Sequence, residues 1–341
     1  MKKQLNNHLD RLQNELITFL KQHHPDTHEE KIYKDLLFSV ELIREGNFDL
    51  YELRLLSVAF KELRHAFKIF KKYHARPKVA VFGSARTPRD HPDYLQAVKF
   101  GKLLARKRWM TITGGASGIM EAAIVGAGAK NSFGLNIRLP FEQDANTVIK
   151  GSEKLMFFKY FFTRKLMFLK ESQATVLFPG GFGTFDEAFE SLTLVQTGKA
   201  NPRPIIMVDP PGSLYWKTLT SALKNSMEHE GWISPGDLGL ISHYQDPQLA
   251  VDEIVKFYSN YDSARFYKDQ YMLRLRKRPT TAAMKRINKE FKDVVSKGTI
   301  KIAGSSVKDD NKGSKYTRLI FHFNRSHYAR LRKLIDTLND L

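Results

Sequence analysis

Apolar residues recur along this chain with three successive rhythms. In the first 75 residues they return every three or four positions, which predicts helices with one apolar face. The clearest example is the run Leu5, Leu9, Leu12, Leu16 and Leu20. Short β-rich runs then alternate with helical stretches, and beyond residue 262 one helical stretch, two strand-like runs and an amphipathic last helix follow.

Between Lys78 and residue 260 the apolar runs are short, and most of them end at glycine or proline. Segments that fit helices separate the runs, and this alternation predicts βαβ units. We therefore expect an α/β domain with a Rossmann-like parallel sheet and helices on both faces. The strand-like runs are KVAVFG, WMTITGG, SFGLNIRL, ATVLFPGG, PIIMVDP and ISHY.

The three rhythms divide the chain into three predicted parts. These are a helical N-terminal segment over residues 1–75, a Rossmann-like domain over 76–260 and a small basic α+β appendage over 261–341. Residues 262–341 hold 20 lysines or arginines against 8 aspartates or glutamates, so they carry +12 of the net charge of +19. A charge of this kind favours either a polyanionic partner or a solvated basic face.

Glycine clusters follow three of the predicted strands. Ligands of parallel sheets bind at the carboxyl ends of the strands, where glycine lets backbone N–H groups approach an anion closely. One such cluster is equally well explained as a tight turn, but three in one domain predict a nucleotide-sized pocket. None of them is a Walker loop, and none fits a dinucleotide fingerprint well. The clusters are Gly83-Ser84-Ala85-Arg86, Gly114-Gly115-Ala116-Ser117-Gly118 and Gly180-Gly181-Phe182-Gly183-Thr184.

Two acids, Asp186 and Glu187, follow the third glycine cluster directly. If Thr184 begins a helix, Glu187 lies about one turn along it and points past a bound phosphate toward the sugar. A carboxylate there stabilises an oxocarbenium-like sugar and activates a water molecule. The alternative interpretation is that both acids only complement the dipole at the start of a helix.

These residues also resemble a known family. PGGFGTFDE is similar to the PGGxGTxxE signature of the LONELY GUY (LOG) family, which was long misannotated as lysine decarboxylases. FTRKLMF resembles its Arg-Lys element, TGGASGIMEAA its GGGxxGxM segment, and VAVFGSAR its opening strand and loop. The resemblance covers residues 78 to 260 and implies hydrolysis of nucleoside 5′-monophosphates to free base and ribose 5-phosphate. It also implies a dimer-forming Rossmann-like fold without metal or pyridoxal phosphate.

The resemblance assigns roles position by position. Glu187 matches the catalytic glutamate and Arg164 the catalytic arginine, whose planar, permanently charged group can grip phosphate or ribose oxygens. The alternative for Arg164 is an exposed helix residue. The expected substrate-binding residues are Gly83, Ser84, Arg86, Gly114, Gly115, Glu121, Lys165, Gly180, Gly181, Gly183 and Thr184.

Glu121 marks a departure from the short plant-type members of the family, in which glycine follows the methionine. GIMEA is more similar to the larger bacterial nucleosidases that accept ordinary nucleoside monophosphates. Glu121 is therefore expected to bind the ribose or the base, and a helix-terminal acid is an equally good explanation. The flanking segments carry no motif that identifies a family, and the compact cytokinin enzymes lack such extensions.

Composition narrows the remaining choices. The chain has no cysteine, which excludes disulfides, thiolate metal sites and a cysteine nucleophile. We expect no cofactor and no metal. We also expect a cytoplasmic protein without membrane contact, because no apolar run approaches a bilayer span and the N-terminus does not resemble a signal peptide.

The sequence therefore predicts an enzyme that cleaves the N-glycosidic bond of AMP or a related nucleoside 5′-monophosphate, working as a homodimer or larger homo-oligomer. An alternative is a non-catalytic sensor of a nucleotide or alarmone. A third interpretation is contact with nucleic acid or a polyphosphorylated effector through the basic appendage. The alternation of Tyr316, Phe321, Phe323 and Tyr328 instead suits residues of a strand core, which argues against stacking on bases. Lysine decarboxylation finds no support, because no lysine is identified as a Schiff-base residue.

Overall fold

The structure of the protein is a computed structural model that describes residues 28–138, 145–304 and 315–341, and a few residues between 11 and 19. It forms two compact units, residues 1–61 and residues 62–341. The leucines of the predicted first apolar stripe lie outside the described residues. None of the described helices is long and apolar enough to cross a lipid bilayer.

The first unit contains helix α1 (His28–Glu45) and the beginning of helix α2 (Leu50–Lys71), which ends in the second unit. A reciprocal pair of hydrogen bonds starts α2: the Asp49 amide donates to Glu52 Oε2 at 2.9 Å, and the Glu52 amide donates to Asp49 Oδ1 at 2.8 Å. This capping box satisfies two amides that the helix leaves without partners.

Seven parallel strands form the sheet of the second unit, in the order β4-β3-β2-β1-β5-β6-β7. The predicted Rossmann-like parallel sheet is confirmed, and the edge strand β4 is an addition that the sequence pattern did not predict. The strands are β1 (Lys78–Phe82), β2 (Met110–Thr113), β3 (Ser132–Ile137), β4 (Leu155–Phe158), β5 (Ala174–Leu177), β6 (Ile205–Val208) and β7 (Ile241–Tyr244).

Helices cover both faces of this sheet because alternate strand residues point to opposite sides. In β1, Ala80 and Phe82 belong to the core beneath α5, α6 and α7, whereas Val79 and Val81 belong to the core beneath α3, α4 and α8. The helices are α3 (Pro92–Arg106), α4 (Ile119–Ala127), α5 (Phe161–Glu171), α6 (Phe182–Gln196), α7 (Tyr215–Leu223) and α8 (Pro247–Phe257).

The strand order fixes where a ligand can bind. The chain leaves β1 toward β2 on one side of the sheet and returns to β5 on the other side. The loops that follow β1 and β5 therefore diverge, and such a switch point is where open α/β sheets bind their ligands. The Ser84 amide donates to the Pro179 carbonyl at 3.0 Å and ties the two loops together at their bases.

A second, antiparallel sheet follows, in the order β10-β11-β9-β8. The hairpin of β8 and β9 was not predicted. The helix that the run AAMKRINKEFKDVV predicts, over residues 282–295, ends earlier, at Glu290. The predicted domain limits remain a prediction. The elements are β8 (Tyr261–Tyr267), β9 (Gln270–Leu275), α9 (Thr281–Glu290), β10 (Val295–Ile302), β11 (Thr317–Phe323) and α10 (Tyr328–Asn339).

Arg332 of α10 joins this appendage to the parallel-sheet domain. Its guanidinium lies 2.6 Å from Glu253 Oε1 of α8 and 3.1 Å from Asp336 Oδ2, and its side chain is 7% exposed. It also stacks over the Phe257 ring at 4.5 Å. The buried cation is thus paired with acids from both α8 and α10, so that neither it nor Glu253 is an isolated buried charge.

We expect Arg332→Met to lower the free energy of unfolding by about 3–5 kcal/mol, because it leaves the carboxylate of Glu253 without its buried partner. The matched control is Lys333→Met, one residue further on the exposed side of α10, which we expect to change stability by less than about 0.5 kcal/mol. Urea denaturation followed by circular dichroism measures both. Equal effects in the two variants would contradict the role given to Arg332.

Candidate active site

A cavity of about 660 Å³ opens at the carboxyl ends of the central strands. Its volume is typical of sites for small organic ligands. Nine of the predicted site residues line it: Gly83, Ser84, Arg86, Gly114, Arg164, Gly181, Gly183, Thr184 and Glu187. As far as the described residues define the cavity, four others do not line it: Gly115, Glu121, Lys165 and Gly180.

Gly180 lies where the loops after β1 and β5 approach each other most closely. A Cβ atom at this position would lie 2.2 Å from Thr184 Oγ1 and 2.8 Å from the Ser84 amide. The Tyr215 hydroxyl donates to the Gly180 carbonyl and holds the loop from the other side. Gly180 therefore shapes the cavity through the absence of a side chain rather than through contact with a ligand.

The loop after β2 is held against the loop after β1. The Ile119 amide donates to the Ser84 carbonyl at 3.0 Å, and Ser117 Oγ donates to the Ala85 carbonyl at 2.8 Å. Gly118 takes a φ of 64°, a conformation that other residues rarely adopt. As a result, the first turns of α4 and α6 both border the cavity, and helix N-termini favour anions.

Glu187 is the buried acid of the cavity wall. Helix α6 begins at Phe182, so Glu187 lies in its second turn, and the side chain is 7% exposed. Burial raises the pKa of Glu187 to about 7, while the charges of Lys165 and Arg164 counteract the rise and those of Glu190 and Asp186 add to it. A carboxyl group with this pKa exchanges its proton near neutral pH, as a general base must.

Lys165 lies within reach of three carboxylates of α6. Its Nζ atom is 2.9 Å from Asp186 Oδ2, 3.0 Å from Glu190 Oε2 and 3.7 Å from Glu187 Oε1. Burial works to lower the pKa of Lys165, but the hydrogen bond to Asp186 and the charges of Glu187 and Glu190 outweigh burial and raise it. Lys165 is therefore a charged ammonium group.

Arg164 precedes Lys165 on α5 and lines the cavity. Its guanidinium packs over the rings of Phe161 and Phe168, with distances of 5.0 and 5.7 Å to the centroids. Such packing holds a planar, permanently charged cation in place beside the cavity.

The start of α5 is fixed by an acid from α2. Glu62 accepts hydrogen bonds from the Lys159 amide at 2.6 Å and from Thr163 Oγ1 at 2.7 Å. A carboxylate at a helix N-terminus satisfies a free donor and complements the dipole. The position of Arg164 thus depends on a residue about one hundred positions earlier in the chain.

Glu121 is buried and paired with an arginine from the loop after β1. Arg89 Nη2 lies 2.6 Å from Glu121 Oε1, and the Glu121 side chain is 9% exposed. The pair connects that loop to the first turn of α4. The predicted contact of Glu121 with ribose or base remains a prediction.

Aromatic residues that the sequence analysis did not select line the cavity as well. Phe82, Phe161, Phe168 and Phe182 all contribute, and the Phe182 side chain is 94% exposed at the start of α6. Asn136, at the carboxyl end of β3, is a further polar lining residue. The only feature of the sequence that could have indicated Asn136 is its amide group near the end of a mostly apolar strand. In the described part of the chain, no group of three or more histidines or acids is placed to hold a metal ion.

The fold and the cavity define an α/β protein of the Rossmann-like class. A family model described as "Possible lysine decarboxylase" matches residues 115–254. Together with the relatives described next and the PGGFGTFDE signature at residues 179–187, this match supports membership of the LONELY GUY (LOG) family.

Two relatives illustrate the distance within the family. A probable cytokinin riboside 5′-monophosphate phosphoribohydrolase of Oryza sativa subsp. japonica is 24% identical over 227 residues, covering 65% of this chain and 81% of that protein. The cytokinin riboside 5′-monophosphate phosphoribohydrolase of Mycobacterium tuberculosis is 28% identical over 162 residues, covering 46% of this chain and 82% of its own.

Among solved structures, a molybdenum cofactor binding protein from Rippkaea orientalis aligns with 52% of this chain and 95% of its own, at 21% identity and a TM-score of 0.38. That similarity carries no conclusion about function.

Proposed function

We propose that the protein hydrolyses the N-glycosidic bond of a nucleoside 5′-monophosphate, with AMP as the first substrate to test, to free base and ribose 5-phosphate. The observation that carries this proposal is the position of Glu187, a buried acid in the wall of a cavity whose rim is made of glycine loops. The names of the relatives, phosphoribohydrolases, support the same reaction.

The 5′-phosphate would bind at the start of α6. Gly181 and Gly183 are exposed to the cavity and leave room for an anion beside the backbone amides of the first turn. The first amides of a helix have no preceding helical carbonyl to donate to, apart here from the Thr184 amide, which donates to the Gly181 carbonyl at 3.0 Å, and the helix dipole adds favourable potential. Arg86 and Arg164 supply two positive charges among the same lining residues.

Glu187 would then face the sugar carbon that bears the base. The bond between this carbon and the base nitrogen breaks, the electron pair leaves with the base, and water adds to the carbon. Glu187 removes a proton from that water and stabilises the cation-like sugar, and the base takes up a proton. Arg164 would hold phosphate or ribose oxygens in place.

Decarboxylation of lysine, as the description of the matching family suggests, finds no support in Lys165. A Schiff-base lysine needs a lowered pKa to act as a nucleophile. The acids around Lys165 raise the pKa of its ammonium instead. Hydrolysis of an N-glycosidic bond needs no lysine with a lowered pKa.

The glycine loops predict that the 5′-phosphate is required, because much of the binding energy would come from it. We expect the protein to cleave AMP and to leave adenosine almost untouched. Chromatographic detection of free adenine from each substrate measures this. Equal turnover of the two substrates would contradict a phosphate site at the start of α6.

The second prediction concerns Glu187. Glu187→Gln removes the charge and keeps the shape, so turnover of AMP should fall by about 10²–10⁴-fold. Binding of AMP, measured by calorimetry, should stay the same or tighten, because repulsion between the acid and the phosphate is removed. Arg164→Ala is the contrasting variant, and we expect it to weaken both binding and turnover.

If Glu187→Gln turned over AMP at the normal rate, Glu187 would have no catalytic role, and its charge would only complement the helix dipole. The site would then suit a nucleotide sensor, the alternative function.

A second candidate function, contact with a polyanion, is favoured by the surface of α9. We propose that three exposed lysines, Lys285 and Lys289 one turn apart on α9 and Lys292 just beyond its end, bind the phosphate backbone of a nucleic acid. The nearby acid Asp293 is bonded to Arg330, 2.6 Å away, so it neutralises these lysines little. Phe321, Phe323 and Tyr328 are buried in the appendage core, so the contact would be electrostatic rather than stacking.

We expect the full-length protein to retain a fluorescent DNA duplex at low salt, with retention falling steeply as salt rises. The triple variant of Lys285, Lys289 and Lys292 to Glu should lose this retention. The matched control changes three exposed lysines elsewhere to Glu, at positions 199, 217 and 224, and alters the net charge equally. An equal loss of DNA retention in both variants would show general charge attraction and not a site at these three lysines. If the full-length protein retained no DNA, the proposal would be wrong.

A further inference from the structure

Lys165 contacts Glu187 but is not among the residues that line the substrate cavity, as far as the described residues define it. Glu187 lines that cavity and also a small second pocket, which Lys165 lines as well. Asp186, the nearest partner of the ammonium, lines the cavity too. The ammonium therefore meets the cavity through the carboxylates of Asp186 and Glu187 rather than directly.

Two of the three hydrogen-bond donors of Lys165 are engaged within the protein. An ammonium group has three donors and no acceptor. The contacts at 2.9 Å to Asp186 and 3.0 Å to Glu190 occupy two donors, and Glu187 Oε1 lies 3.7 Å away on the same Nζ atom. A side chain that is 15% exposed and held in this way is poorly placed to bind a phosphate.

The charges around Glu187 come from two helices. Arg164 and Lys165 face it from α5, and Asp186 and Glu190 lie beside it on α6. Removing Lys165 would leave three carboxylates close together with one cation. Neighbouring carboxylates disfavour each other's charged forms, so Glu187 would hold its proton to higher pH.

We propose that Lys165 is a positioning residue for Glu187: it keeps this carboxylate ionised and directed into the cavity, and it does not bind the substrate. This proposal rests on the proposed function of Glu187. The sequence motif suggests that Lys165 binds the substrate. In this proposal Lys165 instead acts on the reaction through Glu187.

The test is the dependence of kcat on pH for AMP hydrolysis by wild type, Lys165→Met and Lys165→Arg. The base form of Glu187 is the active one, so a higher pKa means less active enzyme at a given pH. In the wild type we expect activity to rise with pH through the Glu187 pKa of about 7.

In Lys165→Met the midpoint should move upward by at least about one pH unit, the usual effect of losing a neighbouring opposite charge. Activity at pH 6 should therefore fall by about tenfold, and activity at pH 9.5 should return to near the wild-type value. Lys165→Arg keeps a permanent charge and should lie between the two profiles. The matched control is Lys170→Met on the same helix, whose lysine pairs with Glu171, and its profile should match the wild type.

Two results would overturn the proposal. A loss of activity in Lys165→Met that is equal at every pH would indicate general damage to the site. A loss of AMP affinity of tenfold or more at pH 8, when Lys165→Met is added to Glu187→Gln, would make Lys165 a substrate ligand.

A titration of the carboxyl carbons by ¹³C NMR separates this proposal from the proposed function. The Glu187 signal, assigned from its disappearance in Glu187→Gln, should titrate at higher pH in Lys165→Met whether or not AMP is cleaved. A moved midpoint without any cleavage would refute the hydrolase and leave the role of Lys165 standing. Cleavage with an unmoved midpoint would refute the role of Lys165.

Discussion

The cost of burying a carboxylate at the edge of the parallel sheet is the constraint on which the rest of the site depends. Glu187 is 5% exposed, and burial opposes its charge. Two cations of α5, Arg164 in the cavity wall and Lys165 outside that wall, make the ionised form accessible near neutral pH. Both cations lie on α5, and Glu62 of α2 fixes the start of that helix. The end of α2 thus helps to hold the helix that carries both cations.

The same sheet edge serves two opposite electrostatic demands. The glycine loops and the first turns of α4 and α6 favour an anion, whereas Glu187 disfavours one. The two are compatible because Glu187 lies in the second turn of α6, beyond the amides that begin the helix. An acid so close to an anion site raises the cost of binding. Stabilisation of a cation-like sugar in the transition state by the same charge would offset this weaker binding.

Much of this arrangement could be predicted from the sequence, because local patterns specify it. The apolar runs that end at Gly83, Gly114 and Gly180 predicted parallel strands, and their glycines predicted a cavity that most of them do line. The edge strand β4 and the hairpin of β8 and β9 were missed; the turn of the hairpin, at Lys268-Asp269, contains no glycine. The contact of Lys165 with Glu187 and its neighbouring acids could not be predicted, because it depends on how α5 and α6 pack. Sequence spacing also says nothing of the pairing of Glu121 with Arg89 or of Arg332 with Glu253.

In the proposed reaction, Glu187 supports the departure of a base from a cation-like sugar. The most direct measurement compares AMP carrying deuterium at the sugar carbon that bears the base with unlabelled AMP, while adenine and ribose 5-phosphate are quantified. The mechanism predicts both products in equal amounts and a slower reaction of the deuterated substrate, since this carbon becomes planar in the transition state. Release of adenosine and inorganic phosphate, or identical rates for the two substrates with adenine as product, would contradict it.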